Sequence, residues 1–124
     1  MKKAFVLVFV SFLASQSFGA TVKSAKLDAS KKNILIDVVY GGGCGKHDFS
    51  LEVGLCFESS PVSCTAELIH KTDDTCEALI GDTIVISLKK AGLTGSYYEG
   101  ASLTITGDLD WETNKPSKVT VKLP

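Results

Sequence analysis

The chain has 124 residues, of which 44% are hydrophobic, and its thirteen basic residues are all lysine. Fourteen acidic residues bring the net charge to −1. Because the lysines are spread along the chain and arginine is absent, the composition argues against nucleic-acid binding and against a polybasic membrane-binding segment.

The first nineteen residues, MKKAFVLVFVSFLASQSFG, have the three-part form of a secretory signal peptide, with two lysines, an apolar run and small residues in that order. The apolar run is too short to span a membrane. A small-x-small pattern ends at Gly19, which predicts cleavage before Ala20, with cleavage before Thr21 as the alternative. We therefore predict a signal peptide at residues 1–19 and one exported domain, periplasmic or extracellular and without a membrane span, at residues 20–124.

Removal of nineteen residues from 124 leaves 105, which suits one compact domain with one hydrophobic core. Two lysines leave with the signal peptide and no acidic residue does. Eleven lysines then face fourteen acidic residues, so the net charge of the mature domain is −3.

Short runs of alternating apolar and polar residues separated by turn residues predict an all-β sandwich of about seven strands, immunoglobulin-like or Greek-key in arrangement and stapled by disulfides. In the second run, the glycines at 41–43 are expected to end the strand because they supply positive φ angles. The predicted strands cover residues 21–27, 33–40, 47–57, 62–72, 83–88, 102–106 and 118–123, with a short helical turn at 87–93. Alternation places Ile34, Ile36, Val38 and Tyr40 on one face of the second strand and directs Leu103 and Ile105 inward in the sixth. In the third strand, it directs Phe49, Leu51, Val53 and Leu55 inward.

Four cysteines in an exported chain predict two disulfide bonds, for which three pairings are possible. Cys56 and Cys64 flank the predicted hairpin turn and lie close together once the hairpin forms, which leaves Cys44 to pair with Cys76. Strict alternation places Cys56 on the polar face of its strand. A β-bulge at Gly54 would turn the Cys56 side chain to the other face, on which Cys64 lies.

The metal alternative uses Cys44-x2-His47 and His70-x5-Cys76, a Cys2His2 set suitable for zinc. Alternation directs both histidines inward near one end of the hairpin. However, exported thiols are readily oxidised, and two cysteines in a disulfide cannot also bind zinc as thiolates. With the disulfide formed, we predict no metal and no cofactor, and His47 and His70 become structural polar residues that hydrogen-bond turn backbone.

Cys44 and His47 also have the residue types of a nucleophile and its general base. Side chains three positions apart near the start of a strand do not usually align for proton transfer, and the sequence offers no set of oxyanion donors. We therefore predict no catalytic residues, and the protein is expected not to be an enzyme.

Two further clusters carry possible chemistry. Asp108 and Asp110 are spaced as the acids of a small hydrolase, although a solvated strand face with Leu109 and Trp111 inward explains them more simply. The Tyr97-Tyr98 pair is either a ligand-stacking platform on a loop or a cover for the edge of the core.

Three motifs carry a resemblance: GGGCxxHxF over residues 41–49, Leu68-x-His70, and Asp74-x-Cys76-Glu77. Together they resemble the pattern of an uncharacterised family of small exported proteins of Gram-negative bacteria, over about residues 34–91. The resemblance implies that Cys44, His47, His70 and Cys76 belong to one constellation, to which Cys56 and Cys64 are an addition. It implies no known activity.

The function expected from the sequence is that of an exported, non-enzymatic β-sandwich that acts through its surface loops in the cell envelope or outside the cell. A protein partner is possible, and an inhibitor-like protein with a disulfide-rigid binding loop is one concrete form. The alternative is a zinc-binding or zinc-dependent protein that uses the Cys2His2 set.

Overall fold

The computed structural model describes residues 19–110 and 112–124, so the predicted signal peptide, except for Gly19, and Trp111 lie outside the described residues. Seven β-strands in two sheets confirm the predicted all-β sandwich. The strands are β1 (Thr21–Leu27), β2 (Asn33–Gly42), β3 (His47–Phe57), β4 (Ser63–Thr72), β5 (Ala78–Ser87), β6 (Ser102–Asp110) and β7 (Lys115–Lys122), and a 3-10 turn spans Ser96–Tyr98. Among the described residues, no helix has the length and apolar character to cross a membrane.

The first sheet has the strand order β1-β2-β5, and the second has the order β3-β4-β6-β7. Neighbouring strands are antiparallel except for β4 and β6, which run parallel. In a constant-type immunoglobulin sandwich the fourth strand belongs to the first sheet. Here β4 lies between β3 and β6 in the second sheet, which leaves the first sheet with three strands.

Alternation along the strands builds the core between the two sheets. Ile34, Ile36 and Val38 of β2 are at most 1% exposed, and Leu103 and Ile105 of β6 are fully buried. Burial of each such side chain contributes about 1.5–3 kcal/mol. These central rows confirm the predicted inward faces of the two strands.

The register between β3 and β4 shifts between Val53 and Cys56, as the predicted bulge at Gly54 requires. Cys56 consequently lies opposite Cys64. The same shift turns Leu55 outward, where it is 71% exposed, so the prediction that Leu55 faces inward is wrong. A bulge adds one residue to one strand and reverses the alternation beyond it.

Four strands are longer than predicted. β2 continues to Gly42 and β5 begins at Ala78, because ten consecutive residue pairs join the two strands. β6 continues to Asp110 and β7 begins at Lys115, where the two strands also pair. The positive φ angle that was expected to end β2 belongs to Gly43, where φ is 117°. The predicted helical turn is one turn long, with the N–H of Ala91 donating to the carbonyl of Ser87 at 3.0 Å.

Hydrogen bonds between the two sheets close one side of the sandwich. The N–H of Val22 donates to Ser117 Oγ at 3.0 Å, and the Ser117 hydroxyl donates to the carbonyl of Asp108 at 2.7 Å. The N–H of Asp108 in turn donates to the carbonyl of Ala20 at 2.8 Å. Leu109, which was predicted to face inward, is 52% exposed because the register of β6 and β7 shifts just before it.

Candidate functional site

Two disulfide bonds form with the pairing that the hairpin argument predicts. Cys56–Cys64 joins β3 to β4, whereas Cys44–Cys76 joins the loop between β2 and β3 to the loop between β4 and β5. On the chain-entropy model, loops of 8 and 32 residues correspond to about 2.5 and about 3–4 kcal/mol of stabilisation. The Cys44–Cys76 bond therefore joins two of the three connections that cross between the sheets.

Asp74 lies at the centre of this end of the sandwich, with its side chain fully buried. Its Oδ2 accepts hydrogen bonds from the N–H groups of Cys44 at 2.9 Å and Gly45 at 2.8 Å, and its Oδ1 accepts one from the N–H of Cys76 at 2.9 Å. These donors, led by the Cys44 and Cys76 amides, together with His47 hold the pKa of the Asp74 carboxyl far below its usual range. Asp74 is therefore an ionised, acceptor-only group at neutral pH.

A chain of hydrogen bonds runs from Asp74 into the core through two histidines. His47 Nε2 lies 2.8 Å from Asp74 Oδ2, and His47 Nδ1 lies 2.7 Å from His70 Nε2. Because an ionised carboxylate only accepts, Nε2 of His47 carries a proton and donates it to Asp74. With His47 neutral, its Nδ1 accepts the N–H of His70 Nε2, so the hydrogen bonds all point from His70 towards Asp74.

Two aromatic side chains form a wall around the histidines. The Phe49 ring is stacked on His70, with centroids 4.6 Å apart and planes within 3°, and the Tyr40 ring lies 4.6 Å from His47 and 5.1 Å from His70. Burial is the main cause that raises the pKa of Tyr40, and the carboxylates of Asp82 and Asp74 raise it further. An apolar wall that keeps water from the imidazoles strengthens the hydrogen bonds between them.

Gly42 leaves room for the His47–Asp74 bond. A Cβ atom at this position would lie 2.6 Å from His47 Nε2 and 2.9 Å from Asp74 Oδ2, distances at which a side chain and the bond cannot coexist. Two of the three glycines at 41–43 thus have separate roles, because Gly42 permits close approach and Gly43 supplies the positive φ of the turn.

The four residues of the zinc alternative meet at one end of the sandwich, but they do not form a set of four free ligands. The sulfurs of Cys44 and Cys76 are bonded to each other, and both ring nitrogens of His47 are used in hydrogen bonds. Both sulfurs lie within 4.8 Å of a carboxylate oxygen of Asp74, yet thiolate ligands would require reduction of the disulfide. The same bond removes the thiol that a Cys44/His47 nucleophile pair needs.

The acidic pair on β6 is engaged in local contacts. Asp110 accepts the N–H of Glu112 at 2.9 Å and pairs with Lys23 at 3.4 Å; these contacts, the Glu112 amide first, lower the pKa of Asp110. Asp108 accepts the N–H of Leu109 at 2.9 Å. A carboxyl whose pKa is lowered is a poor general acid, so Asp110 is unsuited to that one of the two carboxyl roles in glycoside hydrolysis.

An aspartate that hydrogen-bonds and orients an imidazole is also found in catalytic triads, where the imidazole acts on a nucleophile. Here the imidazole of His47 faces a second imidazole, and the adjacent cysteine is oxidised. No protein-family model, curated protein or solved structure matches the chain. By hydrogen bonds, the Asp74–His47–His70 chain links the loop between β4 and β5 to the start of β3 and to β4.

In the sequence, Asp74 belongs to one of the three motifs and, with Asp73, is most simply interpreted as a turn residue. The Asp74-x-Cys76 spacing indicates one of its hydrogen bonds, because an aspartate often accepts the backbone N–H two positions later, as Asp74 does from Cys76. The bonds from Cys44 and Gly45 span 30 and 29 residues and follow no local pattern. The prediction that both histidines bond turn backbone also missed the bond between their rings.

We expect Gly42→Ala to separate His47 from Asp74 and to lower the melting temperature by roughly 10 °C, because the added methyl group occupies the space of the bond. Thermal unfolding followed by circular dichroism measures the effect. Gly81→Ala is the matched control, since a Cβ there meets nothing within 4 Å. Equal melting temperatures for the two variants would show that close approach at Gly42 is not required.

The depressed pKa of Asp74 predicts a pH dependence of stability. A carboxyl whose folded pKa lies below its unfolded value of about 3.9 stabilises the fold above that pH, and this contribution is lost as pH falls further. We expect Asp74→Asn to lower the free energy of unfolding at pH 7 and to flatten its decline between about pH 5 and pH 2. Urea unfolding across this range tests the prediction; Asp48→Asn, on the exposed face of β3, is the control. An unchanged decline in Asp74→Asn would contradict it.

Proposed function

We propose that the protein is an exported, non-enzymatic binding module of the cell envelope or the extracellular space, which binds its ligand with the surface loops at one end of the sandwich. We assign binding to the other end because, at the end that holds Asp74, the side chains of Asp74 and His47 and the sulfurs of Cys44 and Cys76 are bonded to one another. The opposite end, where β2 begins and β5 ends, has loops with unused polar groups around a groove.

The groove has a volume of about 660 Å³, within the range of about 300–1,000 Å³ that is common for sites binding small molecules. It is formed by the loop before β2, the segment that follows β5 and the last residue of the chain. The lining residues are Lys31, Lys32, Asn33, Ser87, Leu88, Lys89, Leu93, Thr94, Gly95, Ser96, Tyr98, Glu99 and Pro124. The proposed binding function rests on this groove.

The chemistry of the lining favours a ligand with a flat apolar part and a negative charge. Leu88 and Leu93 are buried beneath the groove, and Tyr98 lies half-buried beside them. Lys32 and Lys89 are exposed at its rim, together with Lys31. Aromatic and apolar surface next to a few cations is suited to an anionic ligand with an apolar ring.

One loop of the groove is held in a fixed conformation by Asp28. Its carboxylate accepts hydrogen bonds from Asn33 Nδ2 at 2.8 Å, from the Ser30 hydroxyl at 2.9 Å and from the N–H of Lys32 at 3.2 Å. The bond from Asn33 is the largest of the effects that lower the pKa of Asp28 to about 2. A loop that is already ordered loses little conformational entropy when a ligand binds, which supports a binding role for it.

A fluorescent probe tests the groove. We expect 8-anilinonaphthalene-1-sulfonate, which is aromatic and anionic, to bind, and the double variant Lys32→Gln/Lys89→Gln to weaken binding about three- to tenfold. The uncharged analogue N-phenyl-1-naphthylamine should respond little to the same substitutions. Lys115→Gln/Lys118→Gln on β7 removes the same charge away from the groove and serves as the control. Equal losses in both double variants, or no binding by the wild type, would contradict a ligand site here.

Export has its own test. Ala20 is buried and its carbonyl accepts the N–H of Asp108, which supports cleavage before Ala20 rather than before Thr21. We expect the intact mass of the protein recovered outside the cytoplasm to match residues 20–124 with two disulfides, with no alkylation until a reductant is added. Full-length protein in the cytoplasmic fraction would contradict export. Alkylation of Cys44 and Cys76 without reductant, with zinc retained in native mass spectra, would instead favour the zinc alternative.

A further inference from the structure

The unequal width of the two sheets leaves one side of the sandwich open. The first sheet has three strands and ends at β5, whereas the second has four and ends at β3. The inward residues Phe49, Leu51 and Val53 of β3 are only half-buried, although the equivalent rows of β2 and β6 are almost fully buried. The inner face of β3 thus extends beyond the strands that cover it.

A cleft of about 210 Å³ lies between the edges of β3 and β5. Phe49 and Leu51 line it from β3, Val85 and Ile86 line it from β5, and Ala91 lies at one end. This is the side of the sandwich where an additional strand beside β5 would lie over β3. It contrasts with the opposite side, which is closed by the bonds of Val22, Ser117 and Asp108.

The four sheet edges differ in how they oppose the addition of another strand. Lysine, proline and β-bulges are the usual devices. β1 has a register shift and two lysines, β3 has its bulge, and β7 contains Pro116 and three lysines. β5, with the sequence ALIGDTIVIS, contains neither lysine nor proline and keeps ten uninterrupted pairs with β2. Its other edge carries no strand from residues 19–110 or 112–124.

Asp82 is the one charged residue on β5. It lies opposite Val38 in the register with β2, and therefore on the row of β5 that also carries the buried Ile84 and Ile86. It is nevertheless exposed, because the sandwich is open at this point. A carboxylate on the inner row of an edge strand opposes the addition of a strand unless the added strand neutralises it.

We propose that the free edge of β5 accepts an added β-strand from a partner polypeptide, with apolar residues at alternate positions and a lysine or arginine that reaches Asp82. Backbone hydrogen bonds along β5 supply affinity, and the half-buried row of β3 receives the apolar side chains. The cation requirement supplies selectivity, since a strand without one buries the Asp82 charge with only the N–H of Thr83, which donates to Asp82 Oδ1 at 2.8 Å, to stabilise it.

Charge also distinguishes this partner from a second copy of the chain. A copy added through its own β5 brings a second Asp82 to the shared edge, and each mature domain has a net charge of −3, from eleven lysines and fourteen acidic residues. Like charges at paired strands are destabilising. A basic extended segment is complementary to this edge, whereas β5 of another copy is not.

The test uses the mature protein and three nine-residue peptides. The first is acetyl-Thr-Val-Thr-Val-Thr-Lys-Thr-Val-Thr-amide, in which the lysine shares one face of the strand with the valines, as the inner row of β5 requires. The second has glutamate in place of lysine, and the third is the lysine peptide with alternate backbone amides N-methylated. Hydrogen exchange measured by NMR reports which amides each peptide protects, and titration gives the affinities. Asp82→Lys is the matched variant, and because Asp82 is exposed the substitution leaves the core intact.

We expect the lysine peptide to protect amides of β5, with an affinity about tenfold or more above that of the glutamate peptide. Asp82→Lys should reverse the preference, and N-methylation should abolish binding because it removes the backbone donors. Protection at another strand, equal binding of the N-methylated peptide, or unchanged preference in Asp82→Lys would overturn the proposal. Protection of β5 by dimerisation without peptide would assign the edge to a second copy instead. None of these outcomes depends on whether the loop groove binds a ligand.

Discussion

The carboxylate of Asp74 accepts hydrogen bonds from two loops and one strand, and the relation between the two sheets depends on it. The chain crosses between the sheets three times, from β2 to β3, from β4 back to β5, and from β5 to β6. The first two crossings lie at the same end, where Asp74 and the Cys44–Cys76 bond join them. Because the carboxylate is buried and ionised, it must keep all of these donors, which makes the geometry of the crossings strongly specified.

The two ends of the sandwich differ in how their polar side chains are bonded. At one end, Asp74, His47 and the Cys44–Cys76 bond engage one another, whereas the loops at the opposite end place lysines and Tyr98 around the groove. The two sides differ in a similar way. The side of β1 and β7 is closed by inter-sheet hydrogen bonds, whereas the side of β3 and β5 exposes an apolar row and a strand edge with one charge, that of Asp82.

The sequence predicted those features that follow from a period of two. The inward rows of β2 and β6 were predictable because one face of each strand is buried along its length. Leu55 and Leu109 were wrongly predicted to face inward, because register shifts reverse the alternation beside them. The position of β4 beside β6 could not be predicted either. A strand that is buried on one face has the same alternating sequence pattern whichever strand lies next to it. Asp74 was missed because its donors lie about thirty residues away and belong to the backbone.

The Cys44–Cys76 bond encloses the whole β3–β4 hairpin in a covalent ring that runs from Cys44 to Cys76. If the two ends of the domain are pulled apart, tension along the covalent chain passes across the sulfurs and bypasses the rest of the ring. Full extension is then shorter by roughly 110 Å, at about 3.5 Å per residue. In an oxidising compartment the backbone of the hairpin therefore carries none of the covalent tension. Reduction of the Cys44–Cys76 bond would allow the chain to extend by this additional length.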